Sequence, residues 1–479
     1  MQLPQDFINM LRVQMPDDEA SALIAALSGE DRVTSIRLNR QKAELYGLPC
    51  MEATDAVPWC ADGRYLAGRP QFTFDPLFHA GCYYVQEASS MFLEQALASY
   101  LERDKGCVAL DLCAAPGGKS THLRQLLPSG SLLVSNEYVR QRANILAENM
   151  TKWGHPDVIV TNNAPADFAQ LQSAFDLIVA DVPCSGEGMF RKDETAVAEW
   201  SMANVEMCRQ RQRDIIADVW PALKGGGLLV YSTCTFNTRE DEENVAWIAS
   251  ELGADILPVA LHDGWSIAGN MLQGADFPVY HFLPGRTRGE GFFMAVLRKR
   301  EDDAVVGTGK STASRNKNRR NAQTNPLLEK SIRTVSSWIN GRDDLELMAV
   351  GEGITAFTTP YIYMLRSMTS LGFRILHAGV PLAVLKGKDL VPQHALAMST
   401  ALNVTAFVSV ALDYRQAVAY LQGSVMQLPP SAPRGFVLLT YCGMPLGFAK
   451  NLGTRANNLY PQEWRIRSSF VPDCPPEVI

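Results

Sequence analysis

The chain has 479 residues, of which 47% are hydrophobic and 20% are charged, and its formal net charge is −7. This composition is that of a soluble globular protein, and the length predicts about two to four domains. The net negative charge excludes a protein that holds nucleic acid by overall charge alone, although local basic patches remain compatible with it.

Neither a membrane anchor nor a metal site is predicted. No apolar run reaches the ~18 to 20 residues that span a bilayer, and the N-terminus lacks the basic and apolar regions of a signal peptide. The ten cysteines are scattered and form no C-x-x-C pair, which argues against a zinc ribbon or a redox motif. We therefore expect a cytoplasmic protein without a metal, and we expect it to be a monomer.

In chain order, the first region comprises residues 1–75. Helical patterns and a strand-like segment at 35–39 predict a small α+β domain there. Residues 76–300 form the second region, in which apolar strands alternate with amphipathic helices. Such alternation predicts a mostly parallel, doubly wound α/β sheet. The strand candidates are 108–112, 132–137, 157–162, 176–181, 228–233 and 292–298.

The chain changes character after this alternating region. Residues 301–325 lose the apolar periodicity and are expected to form a basic linker. A solvated linker and an arm that contacts phosphates are both compatible with its basic residues, and the solvated linker is favoured. Beyond it we expect a small α/β domain at 326–400 and a strand-rich domain at 401–479.

A loop with two glycines, DLCAAPGGKS at 111–120, follows the first strand of the alternating region. Glycines let the backbone approach a ligand closely, but Cys113 stands where a P-loop needs glycine, and G-x-G-x-x-G is absent. Glu137 ends the next strand, 137 − 117 = 20 residues after Gly117, where an acid typically binds ribose hydroxyls. Together these features favour S-adenosylmethionine as cofactor over an ordinary tight turn with a solvated glutamate.

Two cysteines, Cys184 in DVPCSG and Cys234 in YSTCT, each lie just after an apolar run that reads as a buried strand. Ligands of open α/β sheets bind outside the carboxyl ends of the strands, so we expect both thiols in one crevice. A thiolate that adds to C6 of cytosine makes C5 nucleophilic toward a methyl group, and a nearby base and acid then remove the C5 proton and release the thiol. Asp181, three residues before Cys184, is placed to face the N3/N4 edge of such a base.

The motifs DLCAAPGGKS, DVPCSGEG and VYSTCT, in this order and spacing, closely resemble the RNA 5-methylcytosine methyltransferases of the Sun/Nop type. The segments SIRLN, YVQEASSM and GFF extend the resemblance, and the segment at 434–461 resembles the PUA-like tail of the bacterial ribosomal small-subunit methyltransferase F group. The resemblance implies an α/β fold: a Rossmann-like class I S-adenosylmethionine-dependent methyltransferase core. It also implies a small N-terminal α+β domain, residues 1–75, that binds RNA and positions the substrate, and a C-terminal RNA-binding, PUA-like α+β/β region.

The resemblance also implies roles for individual residues. Cys234 would be the nucleophile at C6, Cys184 would assist proton removal or product release, and Asp181 would lie between cofactor and base. Asn163 stands where the family often has an aspartate beside the adenine. The residues expected to bind the cofactor are Cys113, Ala114, Ala115, Pro116, Gly117, Gly118, Lys119, Glu137, Asn163 and Asp181.

The implied substrate is 16S rRNA of the small ribosomal subunit, with the target base flipped out of its helix. Arg191 and Lys192 are candidate contacts to RNA phosphates, although an exposed basic pair is usually only solvated. Arg37 and Asn39 are two further candidates, for which RNA contact and domain packing are equally good interpretations. We expect that removal of 326–479 weakens RNA binding far more than cofactor binding.

Three alternatives remain. One is a tRNA cytosine-C5 methyltransferase, against which the long C-terminal extension argues by analogy. A second is a non-catalytic RNA-binding or ribosome-assembly factor, against which the intact Cys234, Cys184 and Asp181 argue. A cysteine hydrolase is the third, but no histidine lies in these motifs to activate a thiol.

Overall fold

The computed structural model describes residues 2–29, 32–48, 55–301, 326–341, 343–468 and 470–479. The expected basic linker therefore lies, apart from residue 301, outside the described residues. The α-helices are α1 (Gln5–Gln14), α2 (Asp17–Ser28), α3 (Arg40–Tyr46), α4 (Pro76–His79), α5 (Leu93–Tyr100), α6 (Gly118–Leu126), α7 (Arg140–Trp153), α8 (Glu194–Glu199), α9 (Met202–Val219), α10 (Glu242–Glu251), α11 (Pro326–Val335), α12 (Ile362–Ser370), α13 (His394–Met398) and α14 (Tyr414–Leu421).

Within the described ranges the strands form four sheets. In chain order they are β1 (Thr34–Leu38), β2 (Gly63–Leu66), β3 (Tyr83–Val85), β4 (Val108–Asp111), β5 (Leu132–Asn136), β6 (Val158–Thr161), β7 (Phe175–Asp181), β8 (Leu223–Thr233), β9 (Ala254–Leu257), β10 (Tyr280–Phe282), β11 (Phe292–Lys299), β12 (Leu345–Val350), β13 (Gly353–Thr358), β14 (Ile375–Ala378), β15 (Val380–Lys386), β16 (Asp389–Pro392), β17 (Val408–Ala411), β18 (Gly435–Tyr441), β19 (Met444–Asn451) and β20 (Ala456–Asn458).

The central sheet has the order β10-β11-β8-β7-β4-β5-β6-β14, with β9 also paired to β11. Strands β4 to β8 are parallel, and all six strand candidates of the alternating region are confirmed. The chain runs outward from β4 through β5 to β6 and then returns to place β7 on the other side of β4. This reversal of direction between β4 and β7 opens a crevice at their carboxyl ends, where ligands of such sheets bind.

Continuous apolar runs form these strands because helices cover both faces of the sheet. In β7, for example, Leu177, Ile178 and Val179 are all fully buried, although successive side chains point to opposite faces. Each face has its own hydrophobic cluster. Burial of one such side chain stabilises the fold by about 1.5–3 kcal/mol before entropy is counted.

The region after residue 326 completes the central sheet rather than standing apart from it. Strand β14 pairs antiparallel with β6, and the N–H of Asn162 donates to the carbonyl of Arg374 at 2.9 Å. Helix α12 adds Ile362, Met364 and Met368 to the hydrophobic cluster on one face of the sheet. The central sheet and the C-terminal region are therefore physically continuous.

The N-terminal and C-terminal regions also share a core. Strands β1, β2 and β3 form a small antiparallel sheet, and β17 to β20 form a four-stranded one. Ile36 and Tyr83 from the first sheet belong to one cluster with Val437 from the second sheet and with Tyr460, which follows β20. Among the described residues, no helix is long and apolar enough to cross a membrane.

Candidate active site

Three parallel strands bring functional groups to the same edge of the sheet. Strand β4 ends at Asp111, β7 ends at Asp181 and β8 ends at Thr233. The loops after these strands carry the glycines, Cys184 and Cys234. The crevice at the carboxyl ends of the strands is therefore lined by the motifs that the sequence analysis singled out.

The two thiols are in contact. The Sγ atoms of Cys184 and Cys234 lie 3.3 Å apart, and both residues are partly buried. This contact, together with burial, raises the pKa of Cys184 well above its ordinary value. Cys184 is therefore held as a neutral thiol, which can donate a proton but is a weak nucleophile.

Two cavities meet at this thiol pair. The larger has a volume of about 870 Å³ and extends along the ends of β4 and β5, while the smaller, of about 310 Å³, lies toward β11. Cys184 lines the larger cavity. The residues that line both cavities are Cys113, Ala115, Asp181, Met189 and Cys234. A molecule bound in one cavity can thus contact a molecule bound in the other, at a point beside the Cys234 sulfur.

The loop between β4 and α6 is shaped by contacts to its carbonyl oxygens. Arg142 donates to the Ala115 oxygen and Asn149 to the Pro116 oxygen, both at 2.8 Å. Gly117 adopts φ = +118°, which favours glycine, and α6 begins at the next residue. The backbone of the loop is therefore fixed along the wall that separates the two cavities.

Glu137 lines the larger cavity and is 4% exposed. Its carboxylate accepts a hydrogen bond from the N–H of Val139 at 2.8 Å and lies 3.6 Å from the guanidinium of Arg142. The carboxylate is thus oriented by its own neighbours and lies where the sequence analysis placed a ribose-binding acid.

Lys119 and Asp181 form an ion pair at the junction of the cavities. Lys119 Nζ lies 2.9 Å from Asp181 Oδ2, and the hydroxyl of Ser232 donates to Asp181 Oδ1 at 2.8 Å. Burial lowers the pKa of Lys119, but the Asp181 carboxylate outweighs this effect and raises it. Lys119 lines the smaller cavity, so it faces that space as a firmly charged ammonium.

Asn163 lies beside the larger cavity, but its side chain is already engaged. Its Nδ2 donates to Asp167 Oδ2 at 2.9 Å, and its Oδ1 accepts from the N–H of Arg374 at 2.9 Å. Instead, Ala164 and Pro165 contribute to the cavity wall. The structure therefore uses the Asn163 amide to join β14 to the loop after β6.

The side chains of three of the four candidate RNA contacts are enclosed by the protein, which favours a packing role over RNA binding for them. Arg37 is fully buried and donates to Gln86, Thr121 and Gln125. Because each guanidinium bond ends on another part of the chain, Arg37 holds domains together and cannot reach a bound RNA.

The same reasoning applies to Asn39 and Arg191. Asn39 is 2% exposed and donates to the carbonyls of Gly81 and Trp153. The side chain of Arg191 is 6% exposed and pairs with Glu290 at 3.0 Å. Lys192, by contrast, is exposed and lines the smaller cavity, so it alone of the four keeps a position suited to RNA.

A buried acidic network behind the thiols was not anticipated from the sequence. Glu187 and Glu240 are both fully buried, and Asn237 Nδ2 donates to both carboxylates, at 2.9 and 2.8 Å. Burial and the nearby Glu187 raise the pKa of Glu240 to about 7. Their place in the sequence could have indicated this network, because the two glutamates lie only a few residues after the two cysteines.

Two clusters among the described residues have side chains of the kind that bind metals. They are Cys60 with Glu94 and His122, and Asp241 with Glu242 and His281. The positive charge of Arg37 near Cys60 opposes a cation in the first cluster, and in the second His281 already bonds Glu242 at 2.8 Å. Neither cluster lines the two cavities, so we assign no part of the chemistry to them.

Comparisons with known proteins match nearly the whole chain. The family described as "16S rRNA methyltransferase RsmB/F" matches residues 98–298. The "N-terminal domain of 16S rRNA methyltransferase RsmF" matches 3–88, and the "Methyltransferase RsmF PUA domain" matches 407–466.

Full-length relatives agree with these matches. The chain is 30% identical to the ribosomal RNA small subunit methyltransferase F of Shewanella woodyi, with 97% of each chain covered. It is also 30% identical to the enzyme of that name from an Enterobacter species, with 96% of this chain and 95% of the relative covered.

Two solved structures each match 62% of the chain. A methyltransferase homologue from Pyrococcus horikoshii covers 62% of this chain and 95% of its own, with 26% identity and a TM-score of 0.52. NSun6 from the same organism, solved with the S-adenosylmethionine analogue SFG, covers 62% and 99%, with 19% identity and a TM-score of 0.51. Because NSun6 is only 19% identical to this chain, its similarity shows the fold alone.

Proposed function

The chain belongs to the ribosomal RNA small subunit methyltransferase F family, and from this premise we propose that it methylates C5 of a cytosine in 16S rRNA through a covalent adduct on Cys234. The family fixes the coarser part of this statement: the chain has the Rossmann-like fold of S-adenosylmethionine-dependent methyltransferases and uses that cofactor. The base, the ring position and the covalent route are the proposal.

The larger cavity fits S-adenosylmethionine. Glu137 offers an oriented carboxylate for the ribose hydroxyls, and Cys113 and Ala115 of the loop after β4 line the same cavity. Ala164 and Pro165 provide apolar surface at the other end. When bound, the cofactor would supply the electrophilic methyl group, and Cys234 is among the residues that line this cavity.

The smaller cavity is suited to receive the target base. Lys119 and Asp181 present a charged pair there, and Phe292 provides a ring near Lys119 Nζ, at 4.9 Å from its centroid. In this arrangement Asp181 hydrogen-bonds the N3/N4 edge of cytosine, and Lys119 holds the carboxylate in place. We also propose that the exposed Lys192 contacts an RNA phosphate at the rim.

The proposed reaction uses the two thiols in turn. The Cys234 thiolate forms a bond to C6, which makes C5 electron-rich, so that C5 takes the methyl group. A base then removes the C5 proton, the C6–S bond breaks and Cys234 leaves as a thiolate. Cys184 assists the release of Cys234, because its neutral thiol lies beside the departing sulfur and can donate a hydrogen bond to it.

The observation that carries this proposal is the position of the Cys184–Cys234 contact at the junction of two cavities. A cysteine hydrolase would need a histidine beside the nucleophile, and no histidine lines either cavity. Support for the 16S rRNA substrate comes from the relatives of that name and from the match to the PUA domain.

The test is transfer of a radiolabelled methyl group from S-adenosylmethionine to separated 16S rRNA, small ribosomal subunits and tRNA, with bisulfite mapping of the labelled product. We expect label at C5 of a 16S cytosine. Label only in tRNA would retain the mechanism and overturn the substrate. If no RNA is labelled while the cofactor still binds, a non-catalytic RNA-binding protein becomes the better description.

A further inference from the structure

Two buried side chains hold the backbone on either side of Cys184. Gln212 Nε2 donates to the Pro183 carbonyl oxygen at 3.0 Å, and the N–H of Ser185 donates to Glu240 Oε2 at 3.0 Å. Gln212 Nε2 also donates to Glu240 Oε2 at 2.7 Å, which joins the two side chains. We call this pair, Gln212 and Glu240, the Cys184 clamp.

The clamp is itself rigid, since both members are fully buried. Gln212 Oε1 accepts from the Tyr231 hydroxyl at 3.1 Å and from Asn244 Nδ2 at 2.7 Å. Glu240 Oε1 accepts from Asn237 Nδ2 at 2.8 Å. Because these partners come from α10, β8 and the loop that follows β8, the clamp ties the Cys184 turn to the body of the catalytic region.

Cys234 has supports outside the clamp, although Asn237 Nδ2 donates to both carboxylates and so links Glu187 to Glu240. Its carbonyl oxygen accepts from the N–H of Gly188 at 2.7 Å, and two residues later the N–H of Phe236 donates to Glu187 Oε2 at 2.7 Å. Loss of the Cys184 clamp would therefore displace Cys184 more than it displaces Cys234.

We propose that Glu240 is a positioning residue, which holds the Cys184 thiol against the Cys234 sulfur and thereby sets the rate of product release. This inference rests on the proposed function, because it assigns to Glu240 the task of presenting Cys184 for the release step. Glu240 touches neither cavity and acts only through the turn that carries Cys184.

A carboxylate is the group that the position requires. All three partners of its side chain donate: the N–H of Ser185, Gln212 Nε2 and Asn237 Nδ2. The Gln212 amide is oriented by its other bonds, and Asn237 Oδ1 accepts from the N–H of Glu240 at 2.9 Å, so neither amide can reverse. An amide at position 240 would place N–H groups against a donor, and a buried donor without a partner is costly.

The experiment compares Glu240→Ala, Glu240→Gln, Cys184→Ala and the double variant Cys184→Ala/Glu240→Ala in the full chain with 16S rRNA. A matched control is Glu251→Gln, since Glu251 is exposed at the end of α10. Three quantities are measured: methyl transfer in a single turnover with enzyme in excess, steady-state turnover, and RNA-linked protein on a denaturing gel.

We expect both Glu240 variants to lose about tenfold or more in steady-state turnover while single-turnover methyl transfer changes by less than about threefold. RNA-linked protein should accumulate in both, as in Cys184→Ala. The double variant should turn over within about twofold of Cys184→Ala, because a residue that acts only through Cys184 has nothing further to lose.

Additive losses in the double variant, or slow single-turnover transfer without RNA-linked protein, would overturn the positioning role.

If Glu240→Ala does not fold, the isosteric Glu240→Gln and the neighbouring Gln212→Ala carry the same test. Failure of the proposed function looks different: the wild-type protein would not methylate, or Cys184→Ala would not trap RNA. Trapping by Cys184→Ala without trapping by the Glu240 variants refutes the inference alone.

Discussion

The Sγ atoms of Cys184 and Cys234 lie 3.3 Å apart, although the residues are 50 positions apart in the sequence. Strands β7 and β8 are neighbours in the sheet, and each thiol lies in the loop after its strand. A proton can therefore pass to or from the reacting sulfur without a conformational change.

Replacement of Cys234 by alanine removes the proposed nucleophile. We expect methyl transfer to fall by about a thousandfold or more, because the uncatalysed attack by C5 is unfavourable. Cofactor affinity should stay within about threefold, since the larger cavity keeps its other walls. Methyl transfer and calorimetric binding of S-adenosylmethionine measure the two effects. Cys474→Ala, at an exposed position, is the matched control; substantial turnover by Cys234→Ala would contradict the assignment.

Replacement of Cys184 by alanine should leave the adduct formed but slow its release. The expected result is a slowly migrating RNA–protein band on a denaturing gel, which disappears when Cys234 is also replaced. This second replacement is the control for the site of attachment. If no band forms while methylation is lost, Cys184 acts before the adduct rather than after it.

Replacement of Glu137 by glutamine should weaken S-adenosylmethionine binding by about tenfold to a hundredfold, because hydrogen bonds from the ribose to a charged acceptor are lost. Glutamine can still accept from the N–H of Val139, so the local backbone should keep its shape. Isothermal calorimetry measures the affinity. Glu102→Gln, at an exposed site, is the control, and unchanged affinity in Glu137→Gln would place the ribose elsewhere.

The buried carboxyl of Asp111 should make the stability of the folded protein depend on pH. Burial raises the pKa of this carboxyl from its ordinary value of 3.8 to about 7, even though Ser120 donates to it at 2.6 Å. The unfolded chain releases this proton at lower pH than the folded chain does. Between these two pKa values the folded state therefore binds more protons than the unfolded state does. The stability of the folded state falls as the pH rises through this range.

The Asp111→Asn variant has no carboxyl to ionise at this buried position, so it does not lose this stability. Relative to wild type, the variant should gain stability between about pH 4 and pH 7, by roughly 2–4 kcal/mol at the upper end, and the difference should then stay constant. Urea unfolding of the cofactor-free proteins at a series of pH values gives the comparison. A difference that is the same at every pH would show that the Asp111 carboxyl does not titrate in this range.

Removal of 326–479 should damage the whole protein rather than RNA binding alone, contrary to the expectation from the sequence. The deletion would strip β14 from β6 and remove Phe357 and Phe373 from the core beneath the sheet. We expect the remaining chain to melt at a lower temperature and to lose S-adenosylmethionine binding as well. Retention of cofactor affinity within about threefold would restore the earlier expectation.

The features that could be predicted from the sequence are those that depend on local pattern. The strands of the central sheet are buried on both faces and so appear as continuous apolar runs, which a single sequence reveals. The position of Cys184 and Cys234 followed from the same runs, because a strand end fixes where the next loop begins. The proposed domain boundaries and the monomeric state stay predictions.

The features that could not be predicted depend on partners distant in sequence. Strand β14 is four residues long and is a strand only because β6 lies beside it. A buried arginine such as Arg37 has no local signature, since its partners Gln86 and Gln125 come from other segments. The Cys184 clamp is of the same kind, because Gln212 and Glu240 meet only once α9 has packed beside β8.

The cluster that unites Ile36 and Tyr83 with Val437 and Tyr460 has a consequence for how the protein is made. Synthesis proceeds from the N-terminus, so the strands around residue 36 emerge long before the residues that cover them. Contacts between such distant segments slow folding and leave apolar surface exposed in the interval. The first segment to be translated is thus among the last to be covered, so the apolar side chains of β1 and β3 lack their full packing partners until the C-terminal sheet has been made.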